Sequence, residues 1–105
     1  MALDHKQLIK TQLPNVAASL GAPANGKTWY LKQITLYNTG ATNEVVKLYL
    51  QGASGNDQFI EYTLGAKETY NYPLEYPYVL EATEALFGVS TTGATVNIFV
   101  TGAEK

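Results

Sequence analysis

The 105-residue sequence has no cysteine, no arginine, one histidine and one tryptophan. Without cysteine there are no disulfides and no thiolate metal sites. A lone histidine, His5, has no second imidazole to complete a zinc site and no orienting partner in evidence for nucleophilic catalysis, so it reads as a solvated surface residue. Arginine is the favoured reader of guanine edges and phosphates. Its absence, with a formal net charge of −2, argues against nucleic acid as a partner. No apolar run approaches the ~18 residues of a membrane span, so no membrane partner is expected. Near the N-terminus the charges Asp4, Lys6 and Lys10 surround no apolar run longer than Val16–Ala18, too short for the core of a signal peptide.

What is present is strand-like. The stretch Gly26–Leu50 holds two runs rich in β-branched and aromatic residues around a polar connector, Asn38–Asn43, and predicts two paired strands. In the second run Val46, Leu48 and Leu50 share one face, with Lys47 and Gln51 on the other. The first run changes phase: Trp29 and Leu31 are odd, Ile34 and Leu36 even, which predicts a β-bulge near Lys32-Gln33. Further strands are expected over Gln12–Leu20, Gln58–Leu64 (Ile60, Tyr62 and Leu64 on one side), Lys67–Tyr72, Tyr78–Glu81, Ala85–Ser90 and Thr95–Thr101, where Val96, Ile98 and Val100 point inward. Asn25-Gly26, Gly52–Asn56 and Thr91–Gly93 are turn or loop signals. Pro73 and Pro77 bracket Leu74-Glu75-Tyr76 and rule out a regular interior strand there. The expected fold is all-β, an antiparallel, jelly-roll-like β-sandwich of about eight short strands. Residues 1–11, without a period, are expected to form an N-terminal arm, and residues 12–105 one sandwich domain.

Three motifs tempt a chemical reading. Gly21-Ala-Pro-Ala-Asn-Gly26-Lys27-Thr28 fits the phosphate-loop pattern, but that loop must open a helix, whereas Trp29-Tyr30-Leu31 continues as strand. Glu75, Glu81 and Glu84 are close in sequence yet lack the spacing of a calcium loop; they read as solvated charges. Asn38 and Asn56 suit turns, where their side chains bond nearby backbone. No catalytic, cofactor or metal residue is assigned. The tyrosine run, Tyr70, Tyr72, Tyr76 and Tyr78 with its interleaved prolines, offers apolar faces plus hydroxyls. Three uses of it remain open: closing one end of the sandwich, a protein interface, or a sugar site.

The order of motifs carries a resemblance. Gly26-Lys27-Thr28 is followed by Ile34-Thr35-Leu36-Tyr37-Asn38-Thr39, then Val46-Lys47-Leu48-Tyr49-Leu50. After these come Leu64-Gly65-Ala66-Lys67-Glu68, Tyr72-Pro73-Leu74, and a last strand Val96–Thr101 running into Gly102-Ala103-Glu104. From Gln12 onward the chain resembles the small β-sandwich virion structural proteins of tailed bacteriophages. It departs from them where a Gly-Asp pair gives way to Ala82-Thr83-Glu84. The resemblance implies a non-enzymatic virion component without cofactor, made in the host cytoplasm, foremost a capsid decoration (cement) protein. A tail, neck or fibre component and, from another class, a carbohydrate-binding module are the alternatives. The implied partners are the phage major capsid protein or another virion protein, and the chain itself as a closed homo-oligomer, with a trimer favoured. The expected interface residues are Leu3, Leu8 and Ile9 of the arm and Tyr70, Tyr72, Tyr76 and Tyr78.

Overall fold

A computed structural model describes residues 4–50, 58–81 and 84–105, with side chains undescribed at 4, 5 and 75–77. The described residues form eight strands: β1 (Asp4–Gln12), β2 (Ala18–Gly21), β3 (Trp29–Asn38), β4 (Glu44–Leu50), β5 (Gln58–Leu64), β6 (Thr69–Leu80), β7 (Leu86–Val89) and β8 (Val96–Glu104). They make two antiparallel four-stranded sheets, in the orders β1-β8-β3-β6 and β2-β7-β4-β5. Successive strands change sheet at every step except from β4 to β5, which pair directly, in the jelly-roll manner expected. Inward side chains of both sheets merge into one cluster, with Leu31, Ile34, Leu36, Ile98 and Val100 from the first sheet and Val46, Leu48, Leu64 and Leu86 from the second.

Several local expectations need correction. The two runs of Gly26–Leu50 are strands, but they do not pair: β3 lies between β8 and β6, and β4 between β7 and β5. The connector arches from one sheet to the other because Asn38 turns inward and is fully buried. Its Oδ1 accepts the Gly40 amide at 2.9 Å, and its Nδ2 donates to the carbonyls of Thr42 (2.8 Å), Leu64 (3.2 Å) and Gly65 (3.1 Å). Local bonding by Asn38 was legible, but its reach to the end of β5 was not.

The segment expected as an arm is, from Asp4 onward, the strand β1, hydrogen-bonded along β8. Its missing period has a cause: the register slips between Gln7 and Ile9, so Leu8 is a bulge and the alternation restarts. Gln12–Leu20 is not one strand but the end of β1, a link through the buried Leu13, and the start of β2. Residues 69–80 form a single strand despite Pro73 and Pro77, because β6 is a sheet edge, where proline is tolerated. Opposite β3, five steps of β6 (Pro73 to Tyr78) face two (Gln33 to Leu31), so the proline segment forms a wide bulge. The predicted bulge at Lys32 is present against β8, where Leu31 and Gln33 face the consecutive Gly102 and Thr101, and the register with β6 breaks at the same place.

These irregularities sit at one level of the sheet. Leu8 of β1, Lys32 of β3 and residues 74–77 of β6 all break register there, while β8 keeps its phase through Val96, Ile98, Val100 and Gly102. A bulge brings neighbouring backbone close. A Cβ on Gly102 would lie 2.0 Å from the Tyr30 carbonyl oxygen, so only glycine fits. The expected Gly52–Asn56 loop falls outside the described residues.

Candidate functional site

The phosphate-loop match has the context of a strand entry. β3 begins at Trp29, directly after Thr28. The amides such a loop would aim at phosphate are occupied: the Lys27 amide donates to the Ala24 carbonyl (2.9 Å) and the Thr28 amide to the Lys105 carbonyl (3.0 Å). Glu81 and Glu84 serve each other's backbone: the Glu81 amide donates to Glu84 Oε1 (2.8 Å), and the Glu84 amide to the Glu81 carbonyl (2.9 Å). The side chains of His5 and Glu75, and all of Asn56, lie outside the described residues. Among the described residues no group of three or more His, Asp or Glu side chains could hold a metal ion.

The tyrosine run is different. β5 and β6 are consecutive in sequence but are the edge strands of opposite sheets, on the same flank of the sandwich. In β6, Tyr70, Tyr72 and Tyr78 pair with Leu36, Ile34 and Leu31 and so share the inward face of β3. In β5, Tyr62 pairs with the buried Val46 and also faces inward. The rings meet between the two edges. Tyr62 and Tyr70 stack with centroids 4.0 Å apart and planes 13° from parallel; Tyr72 follows at 6.2 Å and 19°; Phe59 meets Tyr78 edge-on at 5.1 Å and 86°. All five remain half-buried against the core. This is an aromatic seam.

Hydrogen bonds pin it. The Tyr62 hydroxyl donates to Glu68 Oε2 at 2.5 Å, while Glu68 Oε1 accepts the Gly65 amide at 2.6 Å. The turn 65–68 is thereby closed on itself and tied to β5, and Lys67 adopts a positive φ of 59° there while its ammonium donates to the Thr39 carbonyl. The Tyr62 bond, then the Gly65 amide, hold the Glu68 carboxyl below its usual range. The same Tyr62–Glu68 bond, helped by desolvation, raises the Tyr62 hydroxyl above the ordinary phenol value. Burial, then a bond with Tyr72, raises the Tyr78 hydroxyl.

Of the expected interface residues, Tyr70, Tyr72 and Tyr78 are thus brought together; the side chain of Tyr76 and all of Leu3 lie outside the described residues. Leu8 and Ile9 sit on the opposite flank, in β1. Ile9 is only 5% exposed and belongs to the core, and Leu8 packs half-buried against it. Ile9 is therefore occupied within its own domain. Phe59 and Tyr62 were missed as seam members, although the inward face of Tyr62 was predicted. The clue was an inward aromatic on each of two consecutive strands.

A second cluster escaped the sequence reading. Glu44, 1% exposed at the start of β4, accepts the Thr92 amide on Oε1 at 2.7 Å. The buried Ser90 hydroxyl donates to the Thr92 carbonyl at 2.8 Å, and the Val45 amide to Thr91 Oγ1 at 3.0 Å. Its partners lie in another turn, so it holds the connection between β7 and β8.

No family model matches the sequence, and no match is found among curated proteins. Among solved structures the chain is similar to one described as the structure of infectious bursal disease virus Gx strain, with 15% identity and a TM-score of 0.46. The match covers 95% of this chain and 31% of that one, so the chain spans about a third of the neighbour's length.

Proposed function

We propose that the chain is a non-enzymatic structural protein of a virion, and within that class a capsid decoration (cement) protein of a tailed bacteriophage. The observation that carries this reading is the seam of Phe59, Tyr62, Tyr70, Tyr72 and Tyr78: half-exposed, large, apolar and held by hydroxyl bonds and mutual ring contacts. Side chains already fixed in place lose little entropy on docking, and tyrosine is enriched at protein interfaces. A sugar site is less well served, because sugars stack on open ring faces, and Tyr62, Tyr70 and Tyr72 turn their faces to one another. The partner is the major capsid protein or another virion protein, with the chain acting as a closed homo-oligomer, a trimer first. Each copy holds modestly, and several linked copies hold firmly.

A mass-spectrometric inventory of purified particles with copy number tests this. A fixed stoichiometry to the shell protein is expected. A few copies per particle would move the chain to the tail, neck or fibre, and its absence from particles would end the virion reading.

A further inference from the structure

We propose that Tyr62 and Tyr70 form a site of oxidative covalent modification, a dityrosine bond joining β5 of one sheet to β6 of the other, with Glu68 as the proton acceptor. The geometry supplies each requirement. Coupling needs two phenol rings in contact, and these two stack at 4.0 Å with planes 13° apart. Loss of an electron from a phenol is easier when its proton has somewhere to go. The Tyr62 hydroxyl already donates to the Glu68 carboxylate at 2.5 Å. That carboxylate is held in place by the Gly65 amide. Half-exposure of both rings lets a small oxidant reach them.

A one-electron oxidant removes an electron from each phenol; the Tyr62 proton passes to Glu68 and the Tyr70 proton to water. The two phenoxyl radicals couple through ring carbons adjacent to their oxygens, forming one carbon–carbon bond. The hydrogens on those carbons then shift to the oxygens and restore both phenols. The net loss is two electrons and two protons. With persulfate as terminal oxidant the electrons end on sulfate.

Of the other ring contacts, Tyr72 is further from Tyr70, at 6.2 Å, and Phe59 carries no hydroxyl to oxidise. The bond would clip the open flank of the sandwich, closing a short loop through the 65–68 turn.

The test is illumination of the dilute purified chain with a ruthenium tris-bipyridyl sensitiser and persulfate. Lys67 lies between the two tyrosines, so cleavage after lysine separates residues 48–67 from 68–105. The expected result is that these peptides stay joined, lighter than their sum by two hydrogens, with fragmentation placing the bond at Tyr62 and Tyr70. Tyr62→Phe, which keeps the ring stack, should abolish the linked species, Glu68→Gln should reduce its rate of formation, and prior unfolding of the wild type in urea should remove it. A bond that forms only between molecules, one that survives Tyr62→Phe or urea, or a rate unchanged in Glu68→Gln would overturn the proposal.

Discussion

Along the flank between β1 and β2, closure is by close approach. Gly21 has no side chain, and a Cβ there would stand 3.1 Å from Ile9 Cγ1 and 3.5 Å from the Trp29 ring. Ile9 and Trp29 consequently fill the gap and are buried. Along the flank between β5 and β6, closure is by ring size, with tyrosines that bridge the edges yet stay half in solvent. The first flank is sealed by aliphatic packing and one ion-paired rivet: Glu104 takes the Trp29 indole N–H at 3.0 Å and the Lys6 ammonium at 2.6 Å. The second keeps usable surface. A sandwich can thus seal one flank completely and leave rings half-buried along the other.

The largest expected effect removes what both flanks share. Gly102→Ala pushes a methyl into the Tyr30 carbonyl and should separate β8 from β3. Because the obstacle is backbone, the loss should exceed the ~3 kcal/mol typical of overpacking, read by urea denaturation; a wild-type midpoint would refute the close approach. Next comes Ile9→Ala, which should cost about 2–5 kcal/mol as a core cavity. Deletion of residues 1–11 should be worse still, since most of β1 goes with it. If either protein melts like the wild type, the β1 flank is not a core.

Titration separates the flanks at alkaline pH, where among the described residues only the β5–β6 flank has a shifted group. Glu104, held low first by Lys6 and then by Trp29, and Glu68, held low first by Tyr62, both stabilise the fold above the ordinary carboxylate range. Both contributions fade as pH falls through the depressed folded values. Tyr62, raised by its bond to Glu68, contributes fully below the ordinary phenol value and loses that contribution as pH climbs through the raised one. Thermal melts should therefore fall at both extremes for the wild type. Tyr62→Phe should flatten the alkaline limb while leaving the Glu104 part of the acid limb. The smallest effect is a control outside both flanks: Ala94 sits at φ 59°, and Ala94→Gly should gain up to about 1 kcal/mol.

How much of this was legible follows from the range of each interaction. The phase change from Trp29 and Leu31 to Ile34 and Leu36 is local, so the bulge at Lys32 could be read directly. The inward faces of β4, β5 and β8 could be read for the same reason. Whether β3 and β4 pair depends on where Asn38 sends its amide, 26 residues along the chain to Leu64, and no local pattern records that. The burial of Ile9 depends on β8, at the other end of the sequence. The seam was half visible: the tyrosines stood out, but their partner strand did not.

The place of β8 bears on how the protein comes into being. The last strand lies between β1 and β3 and bonds to both. While the chain is being synthesised, β1 is made well before β8, the strand of its sheet that it pairs with. The β3–β6 pair can form earlier, but joining β1 to that sheet waits on β8. Contacts between such distant segments place sandwiches of this type among the slower small domains, in roughly the millisecond-to-second range, and until β8 arrives the edges of β1 and β3 stay open to mispairing with other chains.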